Sequence, residues 1–393
     1  MRRFELVGRR HRDLWIAALI GWAGASGSAV AAPPRSAIDL RLNQVQVIGS
    51  HNSYHIAPTA GILELIGGYA SGKAEGLDYT HPPLAEQFDR RGIRQIELDV
   101  FADPKGGLFA SPYLRKMLKD RGKDPGPDPN AGGVLDRPGM KILHVQDVDF
   151  LAHAPTFVEA LRQVKSWSAA HPHHVPILVL VELKDESRLM LPTKPLPFDR
   201  AMVDAVDAEI LSVFDRKQIV TPDFVRGLSA TLPEAIRARG WPRLDEVRGR
   251  VMFALDNEGA IRDLYAEGHP ALKDRLMFVT ADGPTAPEAA WFKINDTVAD
   301  FDRIRQLVAD GFLVRTRADA DTRQSRENDP KQRDRALASG AQFVSTDYPV
   351  PDRRFSEYCV RLPGGVVARV NPVSGDPAWG KVDLESGRPP AAH

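Results

Sequence analysis

Four short stretches bring together the side chains best suited to chemistry: His51-Asn52, Glu97-Leu98-Asp99, His144 and Glu182-Leu183-Lys184. Each closes an apolar run, and residues two apart on a strand share a face, so Glu97 with Asp99 and Glu182 with Lys184 would each point the same way. Three carboxylates set among Ile96, Leu98, Val179, Val181 and Leu183 are costly to bury without a positive partner, and a bound cation is an economical one. Asn52, Glu97, Asp99 and Glu182 offer only oxygen, the hard-donor set that suits Ca²⁺, with Mg²⁺ the second choice. His51 and His144 would flank the metal, where an imidazole can donate hydrogen bonds or a proton to a phosphate at neutral pH. A metal, two histidines and a lysine at one mouth describe a phosphodiester site.

Such groups converge only if their strands are parallel neighbours. Candidate strands lie at 44–49, 93–100, 140–145, 177–183, 250–256, 275–280, 312–317 and 341–346, and helical periodicity is best at 156–170, 199–214, 298–310 and 331–339. Eight strands alternating with helices predict a single α/β domain, a (β/α)₈ barrel over residues 40–350, with the chemistry at the carboxyl ends of its strands. A doubly wound sheet is the alternative, but it would usually carry a glycine-rich phosphate turn after its first strand, where Gly49-Ser50-His51-Asn52 stands. Residues 102–139 contain 13 Gly or Pro, too many for a regular helix, and read as a long excursion between the second and third strands. After Tyr348 a C-terminal extension, 351–393, holds one candidate hairpin at 358–371 and ends in a frayed tail.

Lys plus Arg and Asp plus Glu each total 52, so no whole-chain field exists to hold nucleic acid. The single cysteine, Cys359, excludes an intramolecular disulfide and a cysteine-based metal cluster. Arg2, Arg3, Arg9, Arg10 and Arg12 precede an apolar stretch, Leu14 to Trp22, and small residues ending at Ala31; residues 1–31 read as a signal peptide and predict a secreted or periplasmic protein. No obligate protein partner is evident.

The runs Val47-Ile48-Gly49-Ser50-His51-Asn52-Ser53-Tyr54, Ile96-Glu97-Leu98-Asp99-Val100, Ile142-Leu143-His144 and Leu180-Val181-Glu182-Leu183-Lys184 resemble the bacterial calcium-dependent phosphatidylinositol-specific phospholipases C. The segment 340–349, Gly-Ala-Gln-Phe-Val-Ser-Thr-Asp-Tyr-Pro, resembles the eighth-strand ending shared by that superfamily and the glycerophosphodiester phosphodiesterases. The resemblance implies a phospholipid substrate met at a membrane surface by peripheral contact only, and cleavage to diacylglycerol and a cyclic inositol phosphate. His51 would stabilise charge on the phosphate and His144 would protonate the leaving diacylglycerol oxygen. Asn52, Glu97, Asp99 and Glu182 would ligate calcium, with Glu97 or Glu182 taking the proton of the inositol 2-hydroxyl. Lys184 would pair with the phosphate or an inositol hydroxyl, and Asp256, Arg315 and Tyr348 would line the pocket. The acidic set speaks against the calcium-independent branch, in which an arginine replaces the metal.

Each stretch alone has a plainer reading: turn chemistry for His51-Asn52, a core histidine for His144, an ion-pair network with Arg94 or Lys184 for Glu97 and Asp99. Their ordered occurrence at strand ends favours the site. Two other classes compete, a glycerophosphodiester phosphodiesterase or phospholipase D-type enzyme on the same barrel and a lipid-binding module without turnover; the former would prefer Arg where Asn52 stands. Gly67 to Lys73 nearly spells a phosphate loop, but Ala74 replaces the hydroxyl residue that motif needs. The apolar run Ile62, Leu63, Leu65, Ile66 and Tyr69 would either form an interfacial ridge or fold back over the barrel rim.

Overall fold

A computed structural model of the chain describes residues 39–389, apart from Ser71 and 188–190; the expected signal peptide lies outside the described residues. Among the described residues ten strands occur: β1 (Val45–Ser50), β2 (Ile93–Phe101), β3 (Lys141–Ile142), β4 (Ile177–Leu183), β5 (Val251–Leu255), β6 (Met277–Val279), β7 (Trp291–Lys293), β8 (Leu313–Arg317), β9 (Phe343–Thr346) and β10 (Ala368–Val370). Eight are parallel and run around the barrel in the order β6-β5-β4-β2-β1-β9-β8-β7, with β6 and β7 meeting through one bridging pair, Thr280 with Trp291. The expected (β/α)₈ architecture is the observed one.

The staves are covered on both faces, so they read as continuous apolar runs. In β4, Ile-Leu-Val-Leu-Val-Glu-Leu, every residue but Glu182 is buried. The helix Phe157–Ala170 begins where the Thr156 side chain accepts from the Glu159 amide and buries Phe157, Ala160, Leu161, Val164 and Trp167 at helical spacing. Helix Arg200–Val213 repeats the device with Asp199 as its cap and Val203, Val206 and Ile210 inward.

Four expectations are corrected. The third candidate strand, 140–145, is reduced to β3, which pairs antiparallel with the end of β2 (Val100 with Ile142) and is no stave; barrel neighbours β2 and β4 pair directly, from Gln95 with Leu178 to Val100 with Leu183. The missing stave is β7, three residues long and preceded by a Pro- and Ala-punctuated stretch, too short to show a period. No hairpin forms at 358–371; the single strand β10 lies antiparallel to β1. The tail does not fray over its described length: Leu384 is buried, and Glu385 pairs with Arg94, which also removes Arg94 as a partner for Glu97 or Asp99.

The glycine- and proline-rich excursion carries one α-helix, Tyr113–Asp120, and a short 3-10 turn, Ala131–Gly133, and the run at 61–69 is itself helical, Ala60–Tyr69. Ile62 and Ile66 are buried with Phe101, Phe109, Leu114, Leu118, Leu143, Phe150 and Leu151 in a second hydrophobic cluster outside the barrel core. At these two positions the fold-back reading holds, because helical spacing turns both onto the face that meets helix 113–120. Of the large apolar side chains in that run, Tyr69 alone is strongly exposed, at 74%. Among the described residues no helix is long and apolar enough to cross a membrane.

Candidate active site and metal centre

At the carboxyl ends of the staves, Glu97 and Asp99 of β2 and Glu182 of β4 bring carboxylate oxygens within 4.8 Å of one another. Parallel register explains this, since Asp99 pairs with Glu182 across the ladder and Glu97 lies two residues back on the same face. Asp99 is fully buried and neither of its oxygens has a hydrogen-bond partner; the same holds for Asn52 Oδ1. Lys184 Nζ stands 3.4 Å from Asp99 and 3.1 Å from Glu182. Burial and then the neighbouring Glu182 charge push the Asp99 carboxyl well above its ordinary range, which marks a carboxylate short of positive charge. Orphaned buried oxygens in an all-oxygen set fit a hard divalent cation such as Ca²⁺. Asn52 reaches its place through a left-handed backbone (φ 44°), a conformation asparagine tolerates better than most residues.

His51 follows β1, and its Nδ1 hydrogen-bonds Asp347 at 2.8 Å, just past the end of β9. Arg317 Nη1 lies 3.3 Å from the other ring nitrogen, and Nη2 bonds Asp347 at 3.2 Å. Burial first, then the Arg317 charge, lowers the His51 pKa to about 3. His51 is therefore a neutral imidazole that donates to Asp347 and accepts from Arg317.

His144 does not close a stave as the sequence predicts; it sits after β3 in a tight turn where the amides of His144 and Val145 both bond the Asp149 carbonyl. Its Nδ1 bonds Asp149 Oδ2 at 2.7 Å, and His55 Nε2 bonds the same carboxylate at 2.8 Å. His55 is fully buried, bonded through Nδ1 to the Tyr79 carbonyl and stacked on the Tyr79 ring at 4.3 Å. Burial would raise the Asp149 pKa, but the His55 charge and the two histidine hydrogen bonds bring it down to about 2.

His51, Asn52, Tyr79, His144, Arg317 and Asp347 line one cleft of about 1070 Å³. Arg315 lies behind it, fully buried, bonding Glu97, Asn295 and Ser345. That contact and burial act against each other on Glu97, and burial prevails, raising its pKa to about 7. Asp256 holds Lys293 at 2.8 Å. Tyr348, expected in the pocket, packs against Tyr358 at 6.1 Å and does not line the cleft. The sequence reading missed Asp149, Asp347, His55 and Arg317. Asp347 stands one residue after β9, and strand-end position was the signal that could have found it; Asp149 and His55 lie in turns with no such mark.

The sequence profile of the Ca²⁺-dependent phosphoinositide phospholipases C matches residues 40–372. The chain belongs to this family. Among solved structures, it is similar to a calcium-dependent phosphoinositol-specific phospholipase C from a Gram-negative Pseudomonas species, at 15% identity and a TM-score of 0.50, over 86% of this chain and 97% of that one. A Ca²⁺-dependent phosphatidylinositol-specific phospholipase C from Streptomyces antibioticus is 16% identical with a TM-score of 0.47, over 79% and 95% of the two chains. A glycerophosphoryl diester phosphodiesterase from Parabacteroides distasonis reaches a TM-score of 0.29 at 12% identity, over 78% and 84%. No curated protein matches. Phosphodiester chemistry is a property of the phospholipase C family to which this chain belongs.

Proposed function

We propose that this protein cleaves the glycerol–phosphate bond of phosphatidylinositol, releasing diacylglycerol and a cyclic inositol phosphate. The observation that carries the reading is the pairing of two histidines, each held by a buried aspartate, on one cleft beside an all-oxygen cation site.

Asn52, Glu97, Asp99 and Glu182 would hold Ca²⁺. When bound, the ion makes the inositol 2-hydroxyl more acidic and offsets charge on the phosphate. Glu97 or Glu182 takes the 2-hydroxyl proton as that oxygen forms a bond to phosphorus. The bond from phosphorus to the glycerol oxygen breaks, and His144 delivers a proton from Nε2 to that oxygen, so one proton is accepted and one given. Asp149 fixes the His144 tautomer and orientation through its hydrogen bond to Nδ1. Arg317 faces the phosphate and carries the positive charge there, and neutral His51, held by Asp347, accepts from Arg317 and orients its guanidinium. Arg315 and Arg317 are already paired with Glu97 and Asp347, an arrangement that favours an unphosphorylated inositol ring over one bearing further phosphates.

Residues 1–31 are proposed to direct export to the periplasm or medium, and an exported fraction in which the mature chain still begins at Met1 would overturn that part. The function is tested by phosphorus NMR of the purified protein with phosphatidylinositol micelles and Ca²⁺. A cyclic phosphate resonance is the expected product; release of phosphatidic acid or glycerophosphate instead would overturn the reading in favour of the phosphodiesterase or phospholipase D class.

A further inference from the structure

The cleft has two unlike halves. One carries the polar groups described above. The other is apolar: Val145 and Val148 from the His144 turn, Leu114 and Met117 from helix 113–120, Ile66 from helix 60–69, and Leu77. Drug-sized ligands fill pockets of roughly 300–1,000 Å³, so about 1070 Å³ exceeds what an inositol phosphate alone requires.

The apolar half is built into the site. Asp147, in the His144 turn, accepts from the Tyr113 amide at 3.0 Å, and its carbonyl accepts from the Leu114 amide at 3.1 Å, which fastens the start of helix 113–120 to the turn that carries the acid. Helix 60–69 is fixed to that helix through the buried Ile62, Ile66 and Leu118. At the rim stand two exposed aromatics, Tyr69 and Tyr113, a residue type suited to the boundary between water and acyl chains.

We propose that this apolar half is a subsite for the glycerol-proximal methylenes of the substrate's acyl chains. The inference rests on the phospholipase C reading and extends it. The leaving glycerol oxygen must lie against His144, and the next residues along the wall from His144 are Val145 and Val148, so the carbon skeleton behind that oxygen runs onto the apolar surface. The lipid is thereby drawn partly out of the bilayer, its first methylenes exchanging membrane for protein contact.

The full chain with Ca²⁺ is assayed on glycerophosphoinositol and on phosphatidylinositols of increasing acyl length, each below its critical micelle concentration. The subsite requires kcat/KM to rise roughly two- to fourfold per added methylene, then level off when the wall is covered. The Met117→Gln, Val148→Thr double variant should flatten that slope. A flat wild-type series with good cleavage throughout, or an unchanged slope in a folded double variant, would each overturn the subsite while leaving the phospholipase C reading in place. Should the double variant fail to fold, the wild-type series decides alone. Failure to cleave every member, glycerophosphoinositol included, overturns the underlying reading and the subsite with it.

Discussion

Asp149 holds His144 by its Nδ1 at 2.7 Å, so the ring offers Nε2 to the cleft. A carboxylate in that position sets the tautomer and holds the ring's orientation, the role an aspartate plays behind a catalytic histidine generally. Asp149→Asn should therefore lower kcat by at least ~10²-fold, similar to His144→Ala, because each removes a positioned acid. A substrate with a better leaving group should restore both variants more than it restores His51→Ala. Equal rescue of all three would deny His144 the role of acid.

The same carboxylate governs acid stability. With a folded pKa of about 2 against an ordinary value near 3.9, Asp149 favours the folded state fully above about pH 4 and loses that contribution as pH falls toward 2, by about 2 kcal/mol. Denaturant melts of wild type and Asp149→Asn between pH 5 and 2 should show the gap between them closing by that amount. A gap that stays constant would show that Asp149 titrates normally.

The cation site can be read without activity. Because Asp99 is buried with neither oxygen hydrogen-bonded, and the one nearby ammonium, Lys184, is shared with Glu182, the carboxylate cluster stays short of positive charge until a cation arrives. Calcium at ~100 times its Kd should stabilise the wild type by about 2.7 kcal/mol, and more than Mg²⁺, which resists dehydration and irregular coordination. Asp99→Asn should abolish that gain while leaving the metal-free melting temperature equal or higher. A calcium-dependent rise preserved in the variant would place the ion elsewhere.

Ile62 and Ile66 lie in the second hydrophobic cluster, so replacing either with Ala should cost on the order of 2–5 kcal/mol of stability. Thermal or chemical denaturation measures this directly. Unchanged stability would return both residues to the surface ridge that their sequence alone also allowed.

The comparison of sequence with structure turns on length and register. Long staves such as β4 and the helices at 157–170 and 200–213 declare themselves by continuous apolar runs or helical spacing, and the carboxylates at strand ends declare themselves by alternation. β7 spans only Trp291–Lys293, too few residues to show any period, whereas the longer apolar run at 140–145 looks like a stave and supplies none. Glu97, Asp99, Glu182 and Lys184 were legible because parallel pairing places them side by side. The partners of the histidines were not: Asp347 reaches His51 across 296 positions, and Asp149 serves His144 and His55 from inside a turn whose shape no local pattern announces.

The barrel's closure between β6 and β7 rests on the single Thr280–Trp291 pair, yet Lys293 spans the gap, donating from its amide to Thr280 Oγ1 at 3.1 Å and from Nζ to the Asp256 carbonyl at 2.7 Å as well as to its carboxylate. One lysine thus works as a clasp on an otherwise unzipped seam. Amide hydrogen exchange should enter the barrel there first, with β6 and β7 exchanging well before β2 and β4, and Lys293→Met should accelerate that opening while the far wall, which carries Glu97, Asp99 and Glu182, stays closed. The molecule would then have a soft side and a rigid side, with the cation site set on the rigid one.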